Sequence, residues 1–405
     1  MTIALEPPPR HGGLRRTAAF TLLAVDVVTL IGASAAPTPL YALYQTQWGF
    51  TPLQSTLVFG IYAASLLLAL LTAGSLSDYI GRRPVLLTAL AVEAASMIAF
   101  ASADGIGLLL VARVVQGLAT GAAISALGAA LIDLERTPGR GVTVNSIAAP
   151  AGLALGAIGS SLISEHLPRP TSTVFLVFFA LFALEIVGIC AIPETAARQP
   201  GALASVRPAL AVPAGALHML LRASPCLIAV WALGGFYLSL GPSLARTTLG
   251  VHSSLIGAIM VATLTGTGAV AVFLLRNVAP HRILSVGAAA LVAGVAITLV
   301  GAETTSSVTL LAGTAVAGVG FGAGFQGTIH TVMPLARPHE RAGLLSSIYM
   351  IAYLANSAPA LIAGYFVGRI GLVDTTRIYG GVVIAMAGIG LGAVVTAPRA
   401  RICRA

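Results

Sequence analysis

The sequence predicts an all-α membrane protein with twelve transmembrane helices in two pseudo-symmetric six-helix bundles. Three observations lead to this prediction: 57% of the 405 residues are hydrophobic, only 9% are charged, and the apolar runs are long and unbroken. A water-soluble domain usually has about 25% charged residues, so lipid must surround most of this chain. Because one span needs about 20 apolar residues, the length leaves room for about a dozen. A β-barrel would show short segments of alternating hydrophobicity instead.

The apolar runs define the predicted spans, which we number in chain order. Glycine and proline are frequent inside them, and membrane helices tolerate both because neighbouring helices satisfy the freed backbone groups. The spans are predicted over 17–41, 52–74, 84–103, 106–134, 141–166, 172–192, 225–247, 253–275, 282–302, 307–334, 343–370 and 376–397. They divide the chain into an N-terminal bundle over 1–192, a cytoplasmic linker over 193–224 and a C-terminal bundle over 225–405. Within the linker, 208–222 are predicted to form an amphipathic helix on the membrane surface.

The arginines predict how the chain crosses the membrane. The sequence has no lysine, so its net charge of +9 comes from 22 arginines against 13 acidic residues. Most of these arginines lie in loops that face the cytoplasm if both termini are inside, as the positive-inside rule requires. We therefore expect a multi-pass protein of the plasma membrane with both termini cytoplasmic. The alternative is a signal peptide cleaved after Ala33-Ser34-Ala35, but Asp26 interrupts its apolar region.

Composition also bears on partners and classes. The arginines are spread singly and in pairs, which argues against a basic soluble domain for nucleic acid. Without lysine the chain cannot form the phosphate-binding loop of ATP-driven pumps. The three cysteines share no metal-ligand spacing and form no even disulfide framework. We expect a monomer that is not an enzyme, with no cofactor, no metal and no nucleic-acid partner.

The two halves of the sequence repeat at an offset of 201 residues. An even number of spans per half makes this a parallel repeat, as in transporters built from two six-helix bundles. Glycine and alanine pairs are common coincidences in such a composition, whereas paired arginines with matching loop lengths are less so. The matching pairs are Gly117 with Gly318, Gly121 with Gly322, Ala122 with Ala323, Leu134 with Leu335, Arg136 with Arg337, Arg140 with Arg341, and Ser146 with Ser347.

An unusually polar turn, GSLSDYIGRRPVLL, separates predicted spans 2 and 3. Gly74 and Gly81 allow a tight reversal of the chain. Asp78 is placed to accept hydrogen bonds from a helix N-terminus, whose partial positive charge favours a carboxylate. Arg82 and Arg83 can pair with a carboxylate on a neighbouring span. A plain turn with surface charges is the alternative.

This turn resembles the loop between helices 2 and 3 of the major facilitator superfamily, with the pattern G-x-L-a-D-r-x-G-r-[kr]-x-x-l. The resemblance implies two bundles around a central cavity and transport by alternating access. Asp133, at the cytoplasmic end of predicted span 4, is the expected partner of the arginines. Such a cluster would latch the two bundles together on the inner side and act as a gate. The matching loop of the second half, LLRNVAPHR, keeps only Arg276 and Arg282.

Two ionisable residues lie well inside predicted spans, where such groups are costly and usually functional. Asp26 in span 1 is expected to face a polar cavity and to take up and release a proton. Arg113 in span 4 stays charged at any working pH, and Asp26 is its expected partner. The segment ARVVQGLATGAA resembles the superfamily motif R-x-x-q-G at Arg113, Gln116 and Gly117, and the resemblance implies that Arg113 takes part in coupling. A purely structural ion pair is the alternative.

Spans 5 and 1 bear on the direction of transport. Gly152, Gly156 and Gly159 resemble part of the motif G-x-x-x-G-P-x-x-G-G of drug/proton antiporters, but Ala157 stands where that motif has proline. Gly32 and the PTPL segment after it resemble the span-1 motif of the same group. The chain is therefore similar to drug/proton antiporters with an incomplete span-5 motif.

Polar and aromatic side chains inside the spans are the predicted substrate contacts. Gln326 and His330 are four residues apart and share one helix face. Glu93 and Glu185 are weaker candidates for carboxyl groups that line the cavity. The predicted substrate contacts are Gln116, Tyr237, Gln326, His330, Tyr353 and Asn356.

These patterns predict a secondary active transporter of a small organic molecule, with a proton as the coupling ion. Efflux of a drug or metabolite by antiport is the first prediction. The alternative is proton symport or facilitated uptake of a sugar or organic acid, in which Arg113 would serve an anionic substrate. A membrane receptor or scaffold without transport is disfavoured, because it has no need of Asp26 or Arg113 in its interior.

Overall fold

The structure is a computed structural model that describes residues 16–206, 210–250, 253–337 and 340–395. These residues form helices and no strands, and one short 3-10 turn lies at Met333–Leu335. The helices are α1 Arg16–Ala35, α2 Tyr41–Trp48, α3 Pro52–Ala73, α4 Leu76–Ile80, α5 Arg82–Ala101, α6 Ile106–Leu134, α7 Arg140–His166, α8 Pro170–Cys190, α9 Ala202–Ser205, α10 Ala214–Ser239, α11 Gly241–Leu249, α12 Leu255–Leu275, α13 Pro280–Glu303, α14 Ser307–Val332, α15 Arg341–Ile370 and α16 Leu372–Val395.

Twelve helices in the described part of the chain are long and apolar enough to cross a membrane. The short helices α2, α4, α9 and α11 lie between them. Each span is apolar on most of its surface, which is the pattern of helices that pack in lipid rather than in water. The predicted all-α fold with twelve transmembrane helices is confirmed.

Buried apolar side chains form two large clusters. One draws on α1 to α8, with Ala360 as its single contribution from α15, and the other draws on α10 to α16. The two groups of helices meet where α3 packs on α15 and α7 packs on α12. Each half of the chain therefore builds its own core, as expected for two bundles.

Two of the predicted spans differ from the helices observed. Span 1 was expected over 17–41, but α1 ends at Ala35 and α2 begins separately at Tyr41. Span 7 was expected over 225–247, but α10 begins at Ala214, so the surface helix predicted over 208–222 belongs largely to this span. Pro225 lies inside α10, since a membrane helix can continue through a proline when neighbours satisfy the freed backbone group. Residues 208 and 209 of that prediction lie outside the described residues.

The 201-residue repeat marks one helix crossing in each bundle. A β-carbon placed on Gly121 of α6 would lie 2.4 Å from the carbonyl oxygen of Leu66 in α3. Its counterpart Gly322 of α14 would place a β-carbon 2.2 Å from the carbonyl oxygen of Gly268 in α12. Small residues let membrane helices approach this closely. The repeated glycines therefore hold equivalent crossings and account for the pseudo-symmetry.

Successive spans alternate in direction, so their ends lie on two faces. We call the face that holds the first residue of α1 and the linker between α8 and α10 the linker face, and the other the opposite face. On the linker face, the Arg16 guanidinium donates to the carbonyl oxygens of Asp133, Leu134 and Glu135 at 3.0–3.1 Å. A cation favours the end of a helix where carbonyls are unpaired, so Arg16 ties α1 to the end of α6.

Candidate functional site

The polar turn after α3 folds into the short helix α4 followed by Gly81. Gly81 has φ of 102°, a conformation that favours glycine. Arg82 forms ion pairs with Asp78 and with Asp133 of α6, the second with 3.3 Å between Nε and Oδ2. Arg82 also donates to the Ser77 hydroxyl at 2.7 Å. The pair of Arg82 and Asp133 expected from the sequence is thus present.

Glu194, at the start of the linker, caps the N-terminus of α5. Its Oε1 accepts from the Arg82 backbone amide at 2.8 Å, and its Oε2 accepts from the Arg83 amide at 3.1 Å. This is the position that the sequence analysis assigned to Asp78, whose carboxylate instead binds the Arg82 side chain. Sequence reasoning missed Glu194, although an acidic residue directly after a span was the available signal.

The turn is bonded to its own bundle and to the linker. The Arg83 guanidinium donates to the Cys190 carbonyl oxygen, and the Ser75 hydroxyl donates to the Ser205 carbonyl oxygen at 3.2 Å. Thr195 donates to Asp133 at 2.9 Å. In the described part of the chain, none of the side-chain hydrogen bonds or ion pairs of this turn reaches the C-terminal bundle. The expected latch between the bundles is therefore not formed by this turn in this conformation.

Arg113 is fully buried in α6 and is held by neutral groups. Its Nη1 donates to the Ser34 carbonyl oxygen at 3.0 Å and to Gln116 Oε1 at 2.8 Å, and its Nη2 donates to the Tyr41 hydroxyl at 2.7 Å. The guanidinium also lies 5.1 Å from the ring centre of Tyr62, within cation–π range. Gln116, predicted as a substrate contact, therefore orients Arg113.

Asp26 is fully buried in α1, and neither of its carboxyl oxygens has a hydrogen-bond partner among the described residues. The expected pair with Arg113 is wrong, because Arg113 binds α1 at Ser34, about 12 Å further along the helix. Asp26 interacts electrostatically with Glu185 of α8 instead. The Thr29 hydroxyl lies beside the Glu185 carboxyl group. The two carboxyl groups form a buried acidic pair between α1 and α8.

Glu93 is a third buried carboxyl group of the N-terminal bundle. The Thr120 hydroxyl of α6 donates to its Oε1, and its Oε2 has no partner among the described residues. Arg113 is close enough to interact with its charge. Within the described residues, no group of three or more His, Cys, Asp or Glu could hold a metal ion.

The glycines that resemble the antiporter motifs bring α1 and α7 together. A β-carbon on Gly156 would lie 2.1 Å from the Gly32 carbonyl oxygen, and one on Gly152 would lie 2.6 Å from the Val28 carbonyl oxygen. Gly159 faces open space, with no atom within 4 Å of such a β-carbon. Two of the three motif glycines thus serve close helix packing.

Two of the predicted substrate contacts lie in the core of the C-terminal bundle. Tyr237 is buried in α10, and its hydroxyl lies 3.3 Å from the Thr298 hydroxyl and 3.1 Å from the Thr314 hydroxyl. Asn356 of α15 is buried against Gly235 of α10. A β-carbon on Gly235 would lie 2.0 Å from the backbone carbonyl oxygen of Asn356. Both residues therefore take part in packing between helices.

Gln326 and His330 of α14 are less enclosed. Gln326 Nε2 donates to the Val272 carbonyl oxygen at 3.1 Å, while its Oε1 has no partner among the described residues. His330 is exposed, one turn closer to the linker face. Of the two side chains, His330 reaches the surface, whereas the unpaired oxygen of Gln326 is buried.

An aromatic cluster lies on α10, α14 and α15. We call Trp231, Phe325, Tyr349 and Tyr353 the aromatic wall. Trp231 lies 4.9 Å from Tyr353 and 5.5 Å from Phe325 between ring centres. All four side chains are partly exposed, and the Trp231 indole N–H has no partner among the described residues. Tyr353 lies near Tyr62 of α3, so the wall faces the N-terminal bundle.

Sequence reasoning identified Tyr353 but missed Trp231 and Phe325. The available signal was Trp231 itself, which is one of only two tryptophans in the chain and lies in the middle of a span. An indole at that depth brings a hydrogen-bond donor into an apolar environment and needs a reason to be there.

The two bundles are in contact near the opposite face. Ala157 of α7 packs on Ala258 and Val261 of α12. A β-carbon on Gly60 of α3 would lie 3.3 Å from Leu361 of α15. All of these residues lie in the halves of their helices nearest the opposite face, so the bundles are joined there in this conformation.

Glu165, the penultimate residue of α7, closes this contact. Its carboxylate accepts from the Leu255 backbone amide at 3.1 Å, from the Ser254 hydroxyl at 3.2 Å and from the Ser253 hydroxyl. Ser161 and Ser254 are also joined, at 2.7 Å between hydroxyl oxygens. A carboxylate of one bundle thus caps the first helix turn of α12 in the other, where negative charge is favoured.

We expect Glu165→Gln to shift the protein toward the state that is open at the opposite face. The amide keeps the size of the side chain but loses the negative charge that the N-terminus of α12 favours. At a surface that water reaches, this loss corresponds to roughly a fivefold to tenfold change in the ratio of the closed state to the open state. Spin labels on Leu167→Cys and Thr247→Cys, in a chain whose native cysteines are replaced by alanine, would report a longer distance between the bundles.

Glu303→Gln is the matched control for this prediction. Glu303 lies on the same face, and its partner Arg377 belongs to the same bundle. This variant should leave the label distance unchanged. An unchanged distance in Glu165→Gln as well would contradict the assignment of Glu165 as a latch.

Two bundles of six membrane-spanning helices, each with its own apolar core, define a multi-pass membrane protein. The chain belongs to the Major Facilitator Superfamily, whose model matches residues 23–358. Members of this family are transporters and not enzymes, so the expectations of family and of a membrane setting are confirmed.

Two curated relatives match parts of the chain. The Inner membrane transport protein YnfM of Escherichia coli (strain K12) is 26% identical over 241 residues, which is 56% of each chain. The Multidrug resistance protein MdtL of Shewanella sp. (strain ANA-3) is 34% identical over 149 residues, which is 36% of each chain. The chain thus spans between about a third and about half of the length of these relatives.

Solved structures share the fold over nearly the whole chain. The human organic anion transporter MFSD10 (TETRAN) superposes with a TM-score of 0.66 at 19% identity, over 95% of this chain and 100% of that one. The nucleoside transporter NupG gives a TM-score of 0.70 at 12% identity, over 94% of this chain and 100% of that one. At these identities the likeness concerns the fold alone.

Proposed function

We propose that the chain exports a small organic molecule from the cell in exchange for protons, by antiport across the plasma membrane with both termini in the cytoplasm. The observation that carries this proposal is the set of three buried carboxyl groups in the N-terminal bundle: Asp26, Glu93 and Glu185. None has an ion-pair partner among the described residues. The proposal names these carboxyl groups as the proton carriers, with Asp26 foremost.

A buried carboxyl group without a counterion is costly to ionise, so it is held with its proton bound. It loses that proton when a conformational change brings water or a counterion to it. Alternating access supplies such a change, because the interior faces one side of the membrane at a time. Arg113, a permanent charge beside Glu93, would favour release of the proton from that site.

Two gates would alternate in this scheme. Glu165, which accepts from the Leu255 amide of the other bundle, would hold the opposite face closed in the conformation described here. The turn at 74–87, with Gly74, Asp78, Gly81, Arg82 and Arg83 and its partner Asp133, would control the linker face in the other state. The linker, which Glu194 ties to this turn, would follow the same movement.

The aromatic wall is the proposed main contact with substrate. Ring faces bind apolar and aromatic molecules, and the Trp231 N–H, which is buried without a partner among the described residues, would donate to an acceptor that reaches between the rings. Gln326 and His330 add polar groups toward the linker face. A substrate with an aromatic ring and at least one acceptor fits this set best.

One relative supports export over uptake, since it is named a multidrug resistance protein. The second candidate is proton-coupled or facilitated uptake of an organic acid or sugar. Arg113 favours this candidate, because its Nε has no partner among the described residues and a guanidinium suits an anion. Three of its other four N–H groups already donate to Ser34, Gln116 and Tyr41, so export is the stronger proposal.

Proton flux in liposomes tests the proposal. Purified protein is reconstituted with an internal pH-sensitive dye, a pH gradient is imposed, and aromatic drugs, sugars and organic acids are added in turn. Substrate-dependent loss of the gradient, with drug and proton moving in opposite directions, is expected. Movement of a sugar or organic acid in the same direction as the proton would support the second candidate, and no proton movement with any compound would overturn proton coupling.

We expect Trp231→Ala to raise the half-saturating concentration of an aromatic substrate roughly threefold to tenfold, because one ring contact of the aromatic wall is lost. Trp48→Ala is the matched control. Trp48 is the other tryptophan of the chain, stacked on Tyr44 near the opposite face. Equal effects of the two variants would show that Trp231 has no special contact with substrate.

A further inference from the structure

A concave apolar surface lies on the lipid-facing side of the C-terminal bundle, between α15 and α16 and above α10. We call it the lateral groove; its volume is about 380 Å³. Exposed large side chains form its rim, and Tyr379 forms part of its floor. The lining residues used below are Ile362, Phe366, Thr375, Ile378, Tyr379 and Val382.

The polar groups that line the groove are already satisfied. The Tyr379 hydroxyl donates to the Ala232 carbonyl oxygen at 2.7 Å, and the Thr375 hydroxyl donates to the Gly371 carbonyl oxygen at 2.7 Å. These two are the polar side chains among the described lining residues. The groove therefore offers contact to hydrocarbon and no hydrogen bond to a polar solute, which suits an acyl chain.

A cation stands at one end of the groove. Arg369 lies on the same stripe of α15 as Ile362 and Phe366, at helical spacing, one residue before the end of the helix. Its side chain is exposed and rests on the Tyr365 ring, 4.7 Å from the ring centre. No carboxylate among the described residues pairs with it, whereas Arg377 of α16 pairs with Glu303 and Asp374.

This arrangement matches a lipid in both of its parts. The end of α15 places Arg369 at the level of the headgroups, where a guanidinium binds phosphate with paired hydrogen bonds. The groove then runs toward the middle of the bilayer along Phe366 and Ile362, in the direction that an acyl chain takes. The charge and the apolar shape together select an amphiphile with a phosphate head.

We propose that the lateral groove binds one anionic phospholipid of the surrounding bilayer, with its phosphate at Arg369 and an acyl chain between α15 and α16. The lipid would cover the cleft where α15 and α16 separate and so stabilise the C-terminal bundle. This site lies outside the aromatic wall and does not depend on the proposed export function.

Native mass spectrometry of the full chain in detergent tests the proposal. Phosphatidylglycerol and phosphatidylcholine with identical acyl chains are titrated separately. We expect tighter retention of phosphatidylglycerol, and Arg369→Gln should weaken it about fivefold, the loss expected for one arginine at a membrane surface. The loss should be smaller for phosphatidylcholine, whose choline offsets the charge of its phosphate. Ile362→Trp, at the exposed rim, should fill the groove and weaken both lipids.

Arg246→Gln is the control for loss of charge, because Arg246 lies on the same face away from the groove. It should leave retention unchanged. Equal retention of the two lipids, or unchanged retention of phosphatidylglycerol in both Arg369→Gln and Ile362→Trp, would overturn the proposal. The proposal would also be overturned if Ile362→Trp left lipid retention unchanged but abolished substrate transport, since the groove would then be an entry for substrate.

Discussion

Asp26→Asn is expected to abolish proton-driven transport, down to the level of liposomes without protein. The amide has nearly the same size as the carboxyl group but cannot carry a proton. Asp26 is fully buried, and neither carboxyl oxygen is engaged by another described residue. Structural disturbance should therefore be small. The measurement is loss of the imposed pH gradient on addition of substrate.

Substrate exchange separates a coupling defect from an unfolded protein. A variant that has lost only its proton site should still exchange labelled for unlabelled substrate without a pH gradient. Glu303→Gln, which removes an exposed carboxylate, is the control and should transport normally. Normal proton coupling in Asp26→Asn would overturn the assignment of Asp26 as the proton carrier. Loss of coupling in Glu185→Gln alone would assign that role to Glu185 instead.

Gly121→Val is expected to destabilise the N-terminal bundle by about 1–3 kcal/mol or more. The added β-carbon would lie 2.4 Å from the Leu66 carbonyl oxygen, and the obstacle is helix backbone, which cannot rotate away as a side chain can. The helices α6 and α3 would have to separate. The yield of monodisperse protein and the temperature of unfolding in detergent would both fall, and Gly322→Val should act in the same way on the C-terminal bundle.

Gly266→Val in α12 is the matched control, because a β-carbon there has no atom within 4 Å. The substitution and the helical setting are the same, so any difference in helix propensity cancels. Gly266→Val should unfold at the temperature of the unmodified protein. If Gly121→Val were equally stable, the close crossing of α6 on α3 would not be needed for the fold.

The fold was predictable because its signals are local. Long apolar runs separate charged loops, and each run is long enough for one helix across lipid. The repeat of Gly117 and Gly121 at Gly318 and Gly322 predicted two similar halves, and the structure explains it by two equivalent crossings. The predicted start of span 7 at residue 225 was wrong, because α10 begins at Ala214 and continues through Pro225.

The candidate site was predictable in its residue types and less so in its partners. Arg82 does meet Asp133, since both residues lie at the linker-face ends of two helices, α5 and α6, that pack on each other. Arg113 and Asp26 lie in separate spans, and the sequence does not specify their relative depth. Arg113 therefore bonds to neutral groups, and Asp26 lies beside Glu185. The roles of both residues in coupling remain predictions.

By itself, the sequence determined the class of protein: a member of a membrane transporter family with twelve helices in two halves, a motif turn on one side and ionisable residues in its interior. Composition, period and motif spacing decide these properties, and each is read along the chain. Only the tertiary structure decided that Glu194 caps α5, that Glu165 joins the bundles and that Trp231 stands in the aromatic wall. These contacts join residues far apart in sequence, and only the packing of one helix on another sets their distance.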